Sequence, residues 1–189
     1  MPAIELRPGF FMFAIVLAAL DRSGSVLPIL CAMAVHELAH IVMMLACGGQ
    51  VRRLTLRFAD LQIAASGLGY RQELLSALAG PLVNLICGAA FCMQRPSFAA
   101  YSLMLGIYNL LPVWPLDGGR MIRCVLLARL PITQAEHISE IVSFAACALL
   151  LLIGVFLTFF RKSGLWPLGT AAYLTVRLLM LARRTDTVQ

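Results

Sequence analysis

Val35-His36-Glu37-Leu38-Ala39-His40 lies inside an apolar stretch running from about residue 25 to 48. If that stretch is a helix, residues four apart share a face, so both imidazoles can point at one ion. Glu37 is turned about 100° away from His36 on such a helix, a poor place for a co-ligand but within reach of a metal-held water. That position suits a general base. A chance match with packing histidines is the plainer alternative. Depth decides against it, because imidazoles and a carboxylate in an apolar span cost several kcal/mol unless they are partnered. The chain has only 3 histidines, and the remaining one, His137, falls in a polar connector.

A catalytic zinc site uses three protein ligands and leaves one position for water, so a further donor must come from elsewhere. Asp117 is the candidate, a carboxylate that follows the apolar stretch Tyr101 to Leu116 and precedes Gly118-Gly119. Pro112, Pro115 and the two glycines break helical structure there, and a membrane chain tolerates irregular backbone only where it is enclosed by protein or lines a water path. Taken alone, Asp117 reads as an ordinary helix-ending Asp-Gly turn. Set beside a two-histidine half-site, it is the better third ligand for one Zn2+ per chain.

The elements that must hold these residues are membrane helices. Of the 189 residues, 61% are hydrophobic and 13% charged, and the mean hydropathy is +0.89, far above a soluble domain. Apolar segments fall at about 9 to 20, 25 to 48, 73 to 93, 98 to 114, 138 to 160 and 165 to 182. With roughly 20 residues per crossing, the expected fold is an all-α membrane protein with about six transmembrane helices. The first segment is short for a crossing, and Glu5, Asp21 and Arg22 around it do not suit a cleaved signal peptide. Residues 1 to 189 read as one transmembrane domain with a catalytic core at about 25 to 125.

Between the second and third segments, Leu54, Leu56 and Phe58 alternate with Arg53, Thr55 and Arg57, and Leu61-Gln62-Ile63 alternates again. The pattern predicts a small membrane-associated β-hairpin whose edge could receive an extended substrate, with an irregular basic loop as the alternative. The net charge of +6 comes from basic residues scattered between spans, which argues for topology and against a nucleic-acid partner. All but Arg22, Arg95, Arg161 and Lys162 of the 15 basic residues fall on one predicted side. By the positive-inside rule that side is cytoplasmic, in a multi-pass cell-membrane protein. The 6 cysteines sit in apolar surroundings without a Cys-x-x-Cys pair and read as packing residues.

Three segments together resemble the signatures of the site-2 protease (peptidase M50) family of intramembrane metalloproteases. They are His36-Glu37-Leu38-Ala39-His40, then Ala79-Gly80-Pro81-Leu82-Val83-Asn84, then Asn109-Leu110-Leu111-Pro112-Val113-Trp114-Pro115-Leu116-Asp117-Gly118-Gly119-Arg120. The resemblance implies zinc held by His36, His40 and Asp117 towards the cytoplasmic side, with Glu37 activating water. It places Asn84 and Asn109 at the active site, to steady an oxyanion or hold substrate backbone, where helix-to-helix hydrogen bonding is the alternative role. Gly80 and Pro81 read as close-packing and kinking positions. The compact plan is similar to the branch of stage IV sporulation protein FB, which implies a membrane-associated protein substrate such as a sigma-factor precursor, and membrane regulators or inhibitors. No stretch reads as a PDZ or CBS domain. A zinc-binding transporter or binding scaffold without proteolysis is the rival reading, and the presence of Glu37 argues against it.

Overall fold

In a computed structural model of the chain, residues 3–6, 21, 24–57, 60–161 and 164–186 are described. The elements in order are β1 (Ala3–Leu6), α1 (Val26–Ala46), β2 (Gln50–Arg57), β3 (Asp60–Ser66), α2 (Tyr70–Ala90), α3 (Pro96–Asn109), α4 (Asp117–Leu127), α5 (Ile132–Phe159) and α6 (Trp166–Asp186). The chain divides into two compact units, Met1–Asn109 and Leu110–Gln189.

The expected fold class needs correction on two counts. Among the described residues three helices, α1, α2 and α5, are long and apolar enough to cross a membrane, in place of about six. At about 1.5 Å per residue, the 14 residues of α3 reach only about 21 Å, short of a hydrocarbon core of roughly 30 Å. α6 has 21 residues, but Arg177, Arg183, Arg184 and Asp186 load its C-terminal part with charge. The segment expected at 9 to 20 lies outside the described residues. The second correction concerns the extramembrane element, which is a three-stranded sheet of order β1-β2-β3 and not a two-stranded hairpin on an all-α protein. β1 lies parallel to β2, Ala3 opposite Arg53 and Leu6 opposite Leu56, and so occupies an edge that a lone hairpin would leave open. β2 and β3 are antiparallel from Gln50↔Ser66 to Arg57↔Asp60, with an irregularity between Val51 and Arg53. Four residues at the far end of the chain carry too little alternation to announce such a pairing, which is why sequence patterning missed it.

In the first unit, Asp21 starts α1. Its carboxylate accepts hydrogen bonds from the Ser25 and Val26 N–H groups at 3.0 and 2.9 Å, covering donors that a helix start leaves open. The helix ends at Cys47, where Gly48 takes a positive φ of +80° that other residues adopt only at a cost. Gln72 ties the next helix to that end. Its side-chain oxygen accepts from the Gly69 N–H at 2.8 Å and its amide donates to the Cys47 carbonyl at 2.9 Å.

One face of α1 is buried at every fourth residue, Ala32, His36, His40 and Met44. Leu38, Val42 and Leu45 on other faces are exposed, as lipid-facing residues would be. α2 answers with its own four-residue stripe, Ser76, Gly80, Asn84 and Gly88, all buried, and packs on both α1 and α3. Small residues let these helices approach closely. A Cβ on Gly88 would meet the Leu103 side chain, and one on Gly106 would lie 3.1 Å from the Pro81 carbonyl.

In the second unit, residues 110–116 form an irregular strap with a cis Trp114–Pro115 bond before α4 begins. Its polar backbone is satisfied locally. Val113 N–H reaches the Leu111 carbonyl and Leu116 N–H the Val113 carbonyl, each at 2.8 Å. The Trp114 N–H donates to Ser143 Oγ on α5 at 3.1 Å, and that hydroxyl donates onward to the Ser139 carbonyl at 2.8 Å. Arg123 lies 5.6 Å from the Trp114 ring centroid and pairs with Glu136 at 2.9 Å. Gly118 and Gly119 let α4 start against the strap, since a Cβ at either would run into strap backbone from Leu110–Leu111 or Val113–Trp114.

Gly118→Ala should therefore destabilise the protein by about 1–3 kcal/mol through overpacking against backbone that cannot yield. Gly169→Ala, on α6 with nothing near its missing Cβ, should be neutral or slightly stabilising. Thermal unfolding midpoints of the two variants in the same detergent check the contrast.

Candidate metal centre

His36 and His40 sit one turn apart on the buried stripe of α1, with 4% and 3% of their surface exposed. Their rings meet edge to face, centroids 4.7 Å apart at 88°, and their Nε2 atoms are 3.1 Å apart. Each ring is anchored from α2 at its other nitrogen. His40 Nδ1 is 2.7 Å from the Ser76 carbonyl oxygen, and His36 Nδ1 is 3.3 Å from the Asn84 amide nitrogen. Residue 40 thus meets 76 while 36 meets 84, so α1 and α2 run antiparallel at this contact. A ring held through Nδ1 presents Nε2 with a fixed direction, the arrangement in which outer hydrogen bonds orient metal-ligating histidines.

Gly80, between Ser76 and Asn84 on the α2 stripe, keeps the space at the ring edges open. A Cβ there would collide with His40 Nε2 and come within 2.9 Å of His36 Cε1. The close packing expected at this glycine is against the imidazole edges, His40 Nε2 and Cε1 and His36 Cε1. Ser76 and the role of Gly80 at the rings were not found from sequence. The available signal was the recurrence of small or polar residues at 76, 80, 84 and 88, all on one helical face.

Glu37 follows His36 on the next face of α1 and is half-buried. In the second unit, Asp117 is the first residue of α4, buried with 6% of its surface exposed. Arg120 Nη1 lies 3.3 Å from its Oδ1, one turn along the same helix. A carboxylate at a helix N-terminus is favoured by the helix dipole. Asn84 is fully buried and its Oδ1 has no hydrogen-bond partner among the described residues. Asn109 is half-buried at the end of α3, where its amide donates to the Leu105 carbonyl at 3.0 Å. That bond is internal to the helix.

Two imidazole nitrogens converging in a protein interior suit a first-row divalent metal. Residues 94–153 match peptidase family M50. The chain is 27% identical over 172 residues to a zinc metalloprotease of Methanocaldococcus jannaschii, covering 80% of this chain and 51% of the relative. It is 26% identical over 160 residues to stage IV sporulation protein FB of Bacillus subtilis, covering 78% and 56%. The chain thus spans about half the length of these curated relatives. Among solved structures, the site-2 protease from Methanocaldococcus jannaschii superposes with a TM-score of 0.66 at 20% identity, over 94% of this chain and 89% of that one. At that identity the likeness is one of fold. The protein is a membrane protein, as its apolar helices indicate.

Gly80→Ala should lower metal content to a small fraction of wild type while leaving helix content intact, because its Cβ takes the place of the ring edges. Elemental analysis with circular dichroism on the same purified samples checks this.

Proposed function

We propose that the protein is an intramembrane zinc metalloendopeptidase that hydrolyses a peptide bond in or near the membrane segment of a membrane-associated protein. The observation that carries this reading is the pair of buried imidazoles on α1, each anchored at Nδ1 from α2 and facing the other at Nε2, with Glu37 next in sequence. The residues that would hold the metal ion are His36 and His40, with Asp117 as the third donor, in keeping with the signature segments that contain them. Three such ligands leave a catalytic zinc one open position. When bound, zinc would supply acidification of water and polarisation of the scissile carbonyl.

The remaining chemistry falls to the chain. Glu37 accepts the proton of the attacking water and hands it to the departing amine, a role that needs one carboxylate beside the site and not among its ligands. His36 and His40 are kept in orientation by Asn84 and Ser76. The distribution of arginine supports a multi-pass chain in the cell membrane with the site towards the cytoplasm. Likeness to stage IV sporulation protein FB supports a membrane-tethered sigma-factor precursor as substrate class and membrane proteins as regulators.

Glu37→Gln should keep about one zinc per chain and lower cleavage by about 10²- to 10⁴-fold. The check is co-expression of wild type and variant with candidate membrane-tethered transcription-factor precursors, together with zinc analysis of the purified enzymes. A product made equally well by both would sink the proteolytic reading, and a transport activity that survives the substitution would favour a zinc-binding scaffold.

A further inference from the structure

We infer that a cavity in the second unit, between α4, α5 and α6, holds the headgroup of phosphatidylethanolamine, its ammonium on Glu140 and its phosphate on Arg123. These residues have no part in the peptide hydrolysis proposed above.

The cavity has a volume of about 220 Å³, below the roughly 300–1,000 Å³ of sites that enclose a whole drug-sized ligand. It suits a small polar group. Arg123 and Glu136 line one side as a pair at 2.9 Å, the guanidinium 5.6 Å from the ring centroid of Trp114, which also borders the space. Glu140, one turn beyond Glu136 on α5, lines the same space and has no charged partner among the described residues. Carboxylates four apart on a helix repel each other, and one guanidinium cannot neutralise both. Ser139 lines the cavity too, with 5% of its surface exposed. Its carbonyl accepts from Ser143, but its hydroxyl has no hydrogen-bond partner among the described residues. A buried hydroxyl without a partner beside an unneutralised carboxylate calls for a cation that carries N–H donors.

Depth identifies the source of that cation. Residues 141–159 of α5 carry no charge, and at about 1.5 Å per residue they reach about 28 Å, close to a hydrocarbon core of roughly 30 Å. When α5 crosses, Glu136 and Glu140 therefore stand level with lipid headgroups. Phe144, one turn deeper, and Leu178 and Leu181 of α6 give the cavity an apolar side where acyl chains begin. Arg123 spends part of its five-donor fork on Glu136 and keeps other N–H groups for a phosphate. A primary ammonium offers three donors to Glu140 and Ser139, whereas the trimethylated ammonium of choline offers none. Trp114 already has a cation in Arg123, so the aromatic contact that a quaternary ammonium favours is taken. A basic side chain from a protein would satisfy Glu140 but leave the spare donors of Arg123 facing another cation.

The test mixes full-length protein in mild detergent with phosphatidylethanolamine, phosphatidylcholine and phosphatidylglycerol of identical chains, and reads bound lipid by native mass spectrometry. Wild type should retain the ethanolamine lipid about 3- to 10-fold over the choline lipid, the scale of a partly exposed charge-assisted hydrogen bond. Glu140→Gln should abolish that preference. Arg123→Gln should weaken binding of both lipids by a similar factor and keep the preference. Circular dichroism confirms that each variant is folded, and Glu140 is exposed, so its substitution puts the least at risk. Equal retention of ethanolamine and choline lipids by wild type, or a preference that survives Glu140→Gln, overturns the inference. Tighter retention of phosphatidylglycerol does so as well, since Arg123 would then act alone. Free phosphoethanolamine that displaces the lipid at equal concentration would make this a site for a soluble ligand, and a lysine-bearing peptide that does so a site for protein. Either result removes the lipid assignment. Lipid is the readout throughout, so an enzyme that cleaves nothing leaves the outcome as informative as before.

Discussion

Two imidazoles buried between membrane helices are tolerable only if their polar atoms find partners, because an unpaired polar group in such a place costs on the order of 1–3 kcal/mol. Much of the first unit follows from meeting that demand. α2 supplies a backbone carbonyl at residue 76 and an amide at residue 84, each aimed at one Nδ1. A carbonyl inside a regular helix is normally spent on the residue four ahead. Pro81 has no N–H to give to the Ala77 carbonyl four residues before it, so the helix that anchors the rings also carries the residue most apt to bend it.

The closeness of α1, α2 and α3 is the second consequence. Lipid tails are as apolar as leucine, so helices in a bilayer associate through tight packing and hydrogen bonds more than through hydrophobic burial. Glycines at 80, 88 and 106 each face a neighbour that a Cβ would strike or crowd. At 88 and 106 the neighbours are the side chain of Leu103 and the carbonyl of Pro81, and the gain is packing alone. At 80 the neighbours are the metal-site rings, so one small residue serves both adhesion and chemistry. In the second unit the same device recurs with backbone as the neighbour: Gly118 and Gly119 bring Asp117 to the start of α4 against a strap secured to α5 through Ser143.

Legibility differed between these parts for a physical reason. His36 and His40 could be read because helical spacing alone puts them on one face, and the observed stripe of α1 contains both. Asp117 could be singled out because Pro112, Pro115, Gly118 and Gly119 mark an irregular break next to a carboxylate, and a strap is found there. The helix inventory was less legible. Apolar runs at 98 to 114 and 165 to 182 looked like crossings, whereas α3 stops at Asn109 and α6 takes on charge towards its end. Apolar composition cannot distinguish a lipid-spanning helix from a shorter one packed against its neighbours, because both bury or expose the same side chains.

What the sequence determined by itself is the chemistry: a pair of histidines at helical spacing, a carboxylate beside them and another at a broken helix, all within a chain too apolar for water. Tertiary structure decided which nitrogen of each ring faces inward and which is tied down. It decided that Gly80 fronts the imidazoles, and that residues 3–6 close one edge of the sheet. These features depend on contacts between residues 36 to 50 or more positions apart, and no local periodicity records a partner at that distance.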